Sequence, residues 1–365
     1  MNRREQLIQH ASPVAARLVA VLVTAGLVGG CAREPGTLDF AGPTMGTTYH
    51  VTVRRMQGVG REKVQSAIDS VLVRVEHSLS TYDDASEISR FNRSASTDWI
   101  LVSDDLHDVV AAAVDVSERT DGAFDITVAP LLGLWGFVGN RSVTSSSPTA
   151  APSPEALRSV LASTGYRHID VRAAPRAVRK SILKLRIDVD GIAPGYAVDQ
   201  VGAAFDALGV TDYIIEIGGE VLAHGRSPQQ RPWRVAIEQP VMSERRPYAI
   251  AELDDRAIST SGDYRDVRIV AGRRVSHTID PHSGAPVVND LTSVSVMHES
   301  AVMADAFATA LMVMGPQAGF DFASRHGLAA LFLVRAHDGS LHERSTDAFR
   351  RVRRPLRGAN DATPH

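Results

Sequence analysis

The sequence predicts an α+β fold, with mixed or antiparallel sheets and helices packed against them. Two observations carry that prediction. Helical and extended segments both occur, but they do not alternate in the strict strand–helix–strand order that a doubly wound parallel sheet requires. The second half is instead dominated by short apolar runs broken by Gly, Pro and Asp turns. The chain has 365 residues, enough for one large domain or two ordinary ones, and carries no internal repeat. Apolar residues make up 44% and charged residues 22%, as in a soluble globular core. The net charge of −3 gives no reason to expect a nucleic-acid partner.

The N-terminus reads as targeting sequence. A polar, arginine-bearing start precedes the apolar run "LVAVLVTAGLVGG". That run is short for a membrane span and fits a signal-peptide core. It ends at Cys31, the only cysteine in the chain. "LVGGC" resembles a bacterial lipoprotein processing signal, in which the Cys becomes the lipidated first residue. The alternative is an ordinary signal peptide with an incidental Cys. Arg3-Arg4 also points to twin-arginine export, but its surroundings match poorly. With Cys31 lipidated, the mature chain has no thiol for zinc, disulfide or nucleophile. The expected limits are a signal peptide at 1–30, a tether at 31–39, one structured domain at 40–345 and a basic disordered tail at 346–365. The tail could instead touch an anionic membrane surface.

Within the domain, "YHVTVRR" (49–55) alternates as a strand does. Residues 61–80 place Val64, Ile68, Val71, Leu72 and Val75 on one helical face. Residues 104–122 form a second helix, stopped by Gly122. Residues 140–154 are a Ser/Thr/Pro-rich exposed insertion. A third amphipathic helix covers 197–210. "DYIIEIGGEVLAHG" reads as strand, Gly turn, strand. Four further strand segments lead to an apolar helix at 300–314, and a terminal hairpin follows.

Familiar catalytic signatures are absent: no phosphate-binding loop, no dinucleotide fingerprint and no H-E-x-x-H. What remains are stretches dense in Gly, Asp and Thr. They are "PTMGTTY", "LSTYDDASEISRFN", "DGAFDITVAPLLGLWGF", "IDVDGIAPGYAVD", "EIGGEV", "ISTSGDY" and "SHTIDPHSG". Any one of them is readable as a turn. In the 300–314 helix, Asp305 and Thr309 lie four residues apart, hence on one face. Either they bond locally or they hold something else. One carboxylate, one hydroxyl and a carbonyl from a Gly-rich turn would suit Mg²⁺ shared with a pyrophosphate. Nothing here suits a soft metal. Glycine-rich loops also let the backbone approach a large ligand closely.

Taken in order, these motifs resemble the ApbE-like flavin transferases, from about Gly42 to about Gly315. The resemblance implies an ApbE-like fold with FAD bound in a cleft. It implies that the domain at 40–345 transfers FMN from FAD to a threonine of an acceptor flavoprotein of the redox-pump subunit type, releasing AMP and using Mg²⁺. By position it makes Met45, Tyr82, the segment Ala123, Phe124 and Asp125, then Asp188 and Ile279, contacts to FAD. Gly191 would offer a backbone carbonyl to Mg²⁺, with Asp305 and Thr309 as side-chain ligands. His277 would be the base that deprotonates the threonine. With the lipid anchor at Cys31, the enzyme would sit on the extracytoplasmic, periplasmic side of a membrane of the cell envelope.

Two positions depart from the family pattern. Pro194 stands where many relatives carry Lys, which leaves only a main-chain FAD contact there. Ala308 stands where some carry a second acid beside the metal threonine. Two rival functions follow: a Mg²⁺-dependent FAD pyrophosphatase giving FMN and AMP, and a flavin-binding lipoprotein without turnover. Covalent flavin on an acceptor separates the first from the main reading. Retention of Asp305, Thr309 and His277 argues against the second.

Overall fold

A computed structural model describes residues 37–56, 58–137, 151–240, 246–263, 267–270, 273–336 and 338–354. The expected signal peptide, Cys31 and the tether through residue 36 lie outside the described residues, as do 140–150 of the expected insertion and 355–365 of the expected tail.

The chain opens with a hairpin of β1 (Leu38–Thr44) and β2 (Thr47–Met56). Then come α1 (Arg61–Leu79), α2 (Glu87–Arg93), the short β3 (Ile100–Leu101) and α3 (Asp104–Arg119). After α4 (Ala129–Leu134) and α5 (Pro154–Leu161), β4 (Ile169–Ala173) and β5 (Arg176–Lys180) pair with β3 in a small sheet. Helix α6 (Ala193–Ala207) leads into β6 (Val210–Ile217), β7 (Glu220–His224), β8 (Trp233–Glu238), β9 (Pro247–Leu253) and β10 (Arg256–Gly262). A two-stranded ribbon of β11 (Val267–Val270) and β12 (Arg273–Ser276) precedes β13 (Leu291–His298). The chain ends with α7 (Ala301–Arg325), β14 (Ala329–Arg335), β15 (Leu341–Ser345), α8 (Asp347–Val352) and β16 (Arg353–Arg354).

One eight-stranded sheet organises the molecule, in the order β1-β2-β6-β7-β10-β13-β14-β15. All its pairings are antiparallel. Side chains alternate between its faces, and both faces are buried. Ile215, Val294, Val296, Ala330 and Phe332 face a core built with α1, α6 and α7. Ile214, Met297, Leu331 and Leu333 face a second core, closed by the small sheet β16-β9-β8 and by Phe349 of α8.

Several expectations change at their edges. The strand at 49–55 is β2, and the Gly218–Gly219 turn joins β6 to β7 with φ values of 68° and 117°. Strand β1 already covers Leu38 and Asp39 of the expected tether. Ser153 caps α5, so the expected insertion ends on an ordered helix. Within the expected basic tail, residues 347–352 form α8, and Arg353 and Arg354 pair with Ala251 and Ile250 of β9, respectively. The apolar Phe349 supplies the reason, because it fills the second core between basic neighbours that stay outside. The helix expected at 300–314 continues to Arg325 across a break at Gly315, whose φ is 78°, followed by Pro316.

What places the site is the crossing of α6 over α7. Asp199 of α6 accepts hydrogen bonds from the Ala301 and Val302 amides at 2.8 and 3.0 Å and from the Ser300 hydroxyl at 2.8 Å. These amides open α7 and have no partner inside it. At Gly195 the helices touch so closely that a Cβ would lie 2.5 Å from the Ala301 carbonyl oxygen.

Candidate active site

Asp305 projects from α7 into that crossing and is 5% exposed. Its Oδ2 accepts from the Gly195 amide at 3.1 Å, and the Ser259 hydroxyl of β10 also bonds it. Burial pushes its carboxyl up to about 7. Ser259 reaches Glu220 Oε1 as well, at 3.3 Å. Glu220 is raised well above the usual carboxylate range by burial first and then by the charge of Asp305. Thr309, one turn along α7, meets the Ser261 hydroxyl at 3.3 Å. A Cβ on Gly191 would lie 3.3 Å from Thr309 Oγ1 and 3.6 Å from the Phe124 ring. Asp305 and Thr309 therefore do not bond each other. Each looks outward, to α6 and to β10, and Gly191 closes on Thr309.

A second group of motifs forms one wall. Asp125 caps a 3-10 turn at Ile126–Val128. Its Oδ1 accepts from the Thr127 amide and hydroxyl at 2.8 and 2.7 Å, and its Oδ2 accepts from the Tyr166 amide at 2.8 Å. Burial raises its pKa despite those bonds. Both oxygens are committed, so Asp125 shapes the loop that presents Ala123 and Phe124. The Ile126 carbonyl accepts from the Asp188 amide at 2.7 Å, which ties this turn to "DVDG". Asp188 is pushed up to about 7, by loss of hydration and then by Asp190 two residues on. His282 Nε2 lies 2.9 Å from the Asp121 carbonyl, so the "DPHSG" loop is pinned to the same turn.

The sequence alone gives Asp190 no distinct role, yet it links two of the candidate residues. Tyr82, 66% exposed, donates its hydroxyl to Asp190 Oδ2 at 3.3 Å. His277 lies within electrostatic reach of the same carboxylate. The signal was present as paired acids in "IDVDG", but spacing could not say which of the two faced the cleft. Ile279 is placed differently from the other candidates. Its side chain is buried with Leu131 and Trp135 in a satellite core, so only its backbone is free to meet a ligand.

Met45 sits at the tip of the β1–β2 hairpin, beside the β6–β7 turn. A Cβ on Gly218 would meet Thr47 at 3.3 Å and Pro194 at 3.9 Å. Pro194 occupies the first turn of α6, where a missing N–H costs nothing. It lies next to Gly195, and so next to Asp305. Ser259, Ser261 and Glu220 complete the site and also went unnamed from sequence, because strand serines carry no spacing signal.

The donor set fits Mg²⁺. Among the described residues no three His, Cys, Asp or Glu side chains gather to hold a metal. Asp305 and Thr309 on one face of α7, with Gly191 against Thr309, nonetheless offer a carboxylate, a hydroxyl and nearby backbone, a sparse oxygen set that would leave Mg²⁺ positions for water and phosphate.

An antiparallel sheet with this glycine-lined site between two crossed helices defines a recognisable class. The ApbE family model matches residues 45–332. A FAD:protein FMN transferase of Vibrio cholerae is 38% identical over 86% of this chain and 92% of its own length. One from Salmonella typhimurium is 35% identical over 87% and 92%. Among solved structures, the flavin transferase ApbE of Vibrio cholerae superposes with a TM-score of 0.77 at 36% identity, covering 87% of this chain and 99% of that one. The apo flavinyl transferase ApbE of Pseudomonas stutzeri gives 0.77 at 40% identity, covering 87% and 96%. The chain belongs to the ApbE family.

Proposed function

We propose that this chain is a FAD:protein FMN transferase that uses Mg²⁺ and a threonine acceptor. It is an enzyme of phosphoryl transfer, in which catalysis is positioning and charge neutralisation. The threonine oxygen bonds the FMN-side phosphorus, the bond from that phosphorus to the bridging oxygen breaks, and AMP leaves with that oxygen. His277 takes the threonine proton, a contribution of roughly 10²–10⁴-fold for a positioned base. Asp190, bonded by the Tyr82 hydroxyl, lies within electrostatic reach of His277. Gly191, Asp305 and Thr309 would hold Mg²⁺. When bound, the ion would screen the pyrophosphate and stabilise the departing AMP oxygen. Phe124 and the Met45 turn line the approach for the flavin nucleotide, and Pro194 leaves the backbone of α6 open to it. The lipid anchor at Cys31 and an extracytoplasmic, membrane-bound location belong to the same reading. So does an acceptor flavoprotein of the redox-pump subunit type.

One observation carries this reading. Residues as far apart in sequence as Phe124, Gly191 and Thr309 meet at one point. The test is incubation with FAD, Mg²⁺ and a threonine-bearing acceptor domain, followed by intact-mass analysis. The expected result is one FMN added to the acceptor and one AMP released. Free FMN with unmodified acceptor would instead make the protein a pyrophosphatase, and bound, intact FAD would make it a carrier.

A further inference from the structure

The geometry points to Glu76 as a positioning residue that holds the Met45 turn in its flavin-binding shape. The inference rests on the proposed function for the identity of the ligand. Thr44 pairs with Thr47, which leaves Met45 and Gly46 as a two-residue loop. Both have positive φ, 47° and 71°. Such a loop favours Asn-Gly, Asp-Gly or Gly-Gly, because an ordinary L side chain is strained in the left-handed region. Gly46 suits its place and Met45 does not. A methionine there is costly to the hairpin, so its side chain or its backbone must be wanted at that spot.

Glu76 supplies what the turn lacks. Its Oε1 accepts from the Met45 amide at 2.6 Å and from the Thr44 hydroxyl at 3.0 Å. A charged acceptor makes these bonds stronger than neutral ones. The acid gains nothing from its own helix. It lies in the last turn of α1, where the helix dipole disfavours a carboxylate. Two locally unfavourable choices, Met at the loop and Glu at the helix end, thus satisfy each other across the α1–hairpin contact. Thr47, which closes that loop, and Pro194 of α6 both border Gly218, and Pro194 precedes Gly195, whose amide bonds Asp305.

The test compares Glu76→Ala, Glu76→Gln and the wild type, reading FAD affinity by flavin fluorescence with Mg²⁺ and no acceptor, alongside thermal melts. Glutamine keeps an oxygen that accepts both bonds, whereas alanine keeps none. Expected is an FAD Kd raised about tenfold in Glu76→Ala, the scale of one lost charge-assisted hydrogen bond, with Glu76→Gln within about threefold of wild type. Steady-state turnover should place the Ala defect in KM for FAD more than in kcat. Wild-type affinity in Glu76→Ala, or an equal loss in Glu76→Gln, would overturn the inference while leaving the proposed function intact. Failure of the wild type itself to bind FAD would overturn both.

Discussion

Asp305 is where burial and charge conflict. Without a cation its carboxyl is pushed up to about 7, and Asp188 likewise. Both lie above the value an unfolded chain would give, near 3.9. Between about pH 4 and pH 7 the native state therefore binds more protons than the unfolded state, and stability falls as pH rises. The metal-free protein should melt at a higher temperature at pH 5 than at pH 8. Asp305→Asn, which keeps the shape and removes the charge, should shrink that difference, leaving the part due to Asp188, and leave FMN transfer near zero at any Mg²⁺ concentration. In the wild type, Mg²⁺ affinity should fall roughly tenfold per pH unit below 7, as protons compete for the ligand. Melts across pH with and without Mg²⁺, paired with Mg²⁺ titrations, check all three. A metal-free melting temperature that rises with pH would remove the assignment of Asp305 as an uncompensated buried acid.

Helices α6 and α7 turn that acid into a site because two glycines let them close. At Gly195 the obstacle to a side chain is the Ala301 backbone, which cannot move aside alone. Gly195→Ala should therefore separate the helices, cost about 1–3 kcal/mol as overpacking does, and weaken Mg²⁺ binding. Gly191→Ala meets only side chains, Thr309 Oγ1 at 3.3 Å and the Phe124 ring at 3.6 Å. It should melt close to wild type while raising the Mg²⁺ needed for half-maximal transfer. Equal melting temperatures for the two variants would contradict the crossing geometry. The first half of α7 is legible because it is apolar almost all the way round, and sequence periodicity locates α1 and α3, since each shows one face to a core. It missed α2 and α8, which are too short to display a period. The candidate site was legible where an acid and a hydroxyl sit one turn apart on an apolar helix, as with Asp305 and Thr309, while Gly191 came from the family resemblance alone. It was illegible at Asp190, Ser259 and Glu76, whose roles exist only once distant segments meet.

The molecule as a whole keeps its chemistry on one face of the large sheet and its C-terminal closure on the other. The proposed lipid anchor at Cys31 is separable from both, so Cys31→Ala is expected to release the protein from membranes without changing transfer. A single acyl chain holds only marginally, so attachment in the wild type should need the several chains of a lipoprotein. Equal membrane partitioning of the two would dismiss the anchor. The closure is the sharper test of the architecture. Thr346 donates to the Leu328 carbonyl at 2.7 Å and accepts from the Ala330 amide at 3.0 Å, which ties the start of α8 to β14. Phe349, 0% exposed, then fills the second core against β9 and the back of the sheet. Phe349→Ala should cost about 3–5 kcal/mol, the range for an aromatic side chain lost from a core. Because Asp305, Thr309 and Gly191 lie on the opposite face, FAD affinity per folded molecule should stay at the wild-type value. Denaturant unfolding and FAD titration on the same preparation measure both quantities. A loss of less than about 1 kcal/mol would mean that the basic C-terminal segment is peripheral after all, because substitutions that small belong to surface positions.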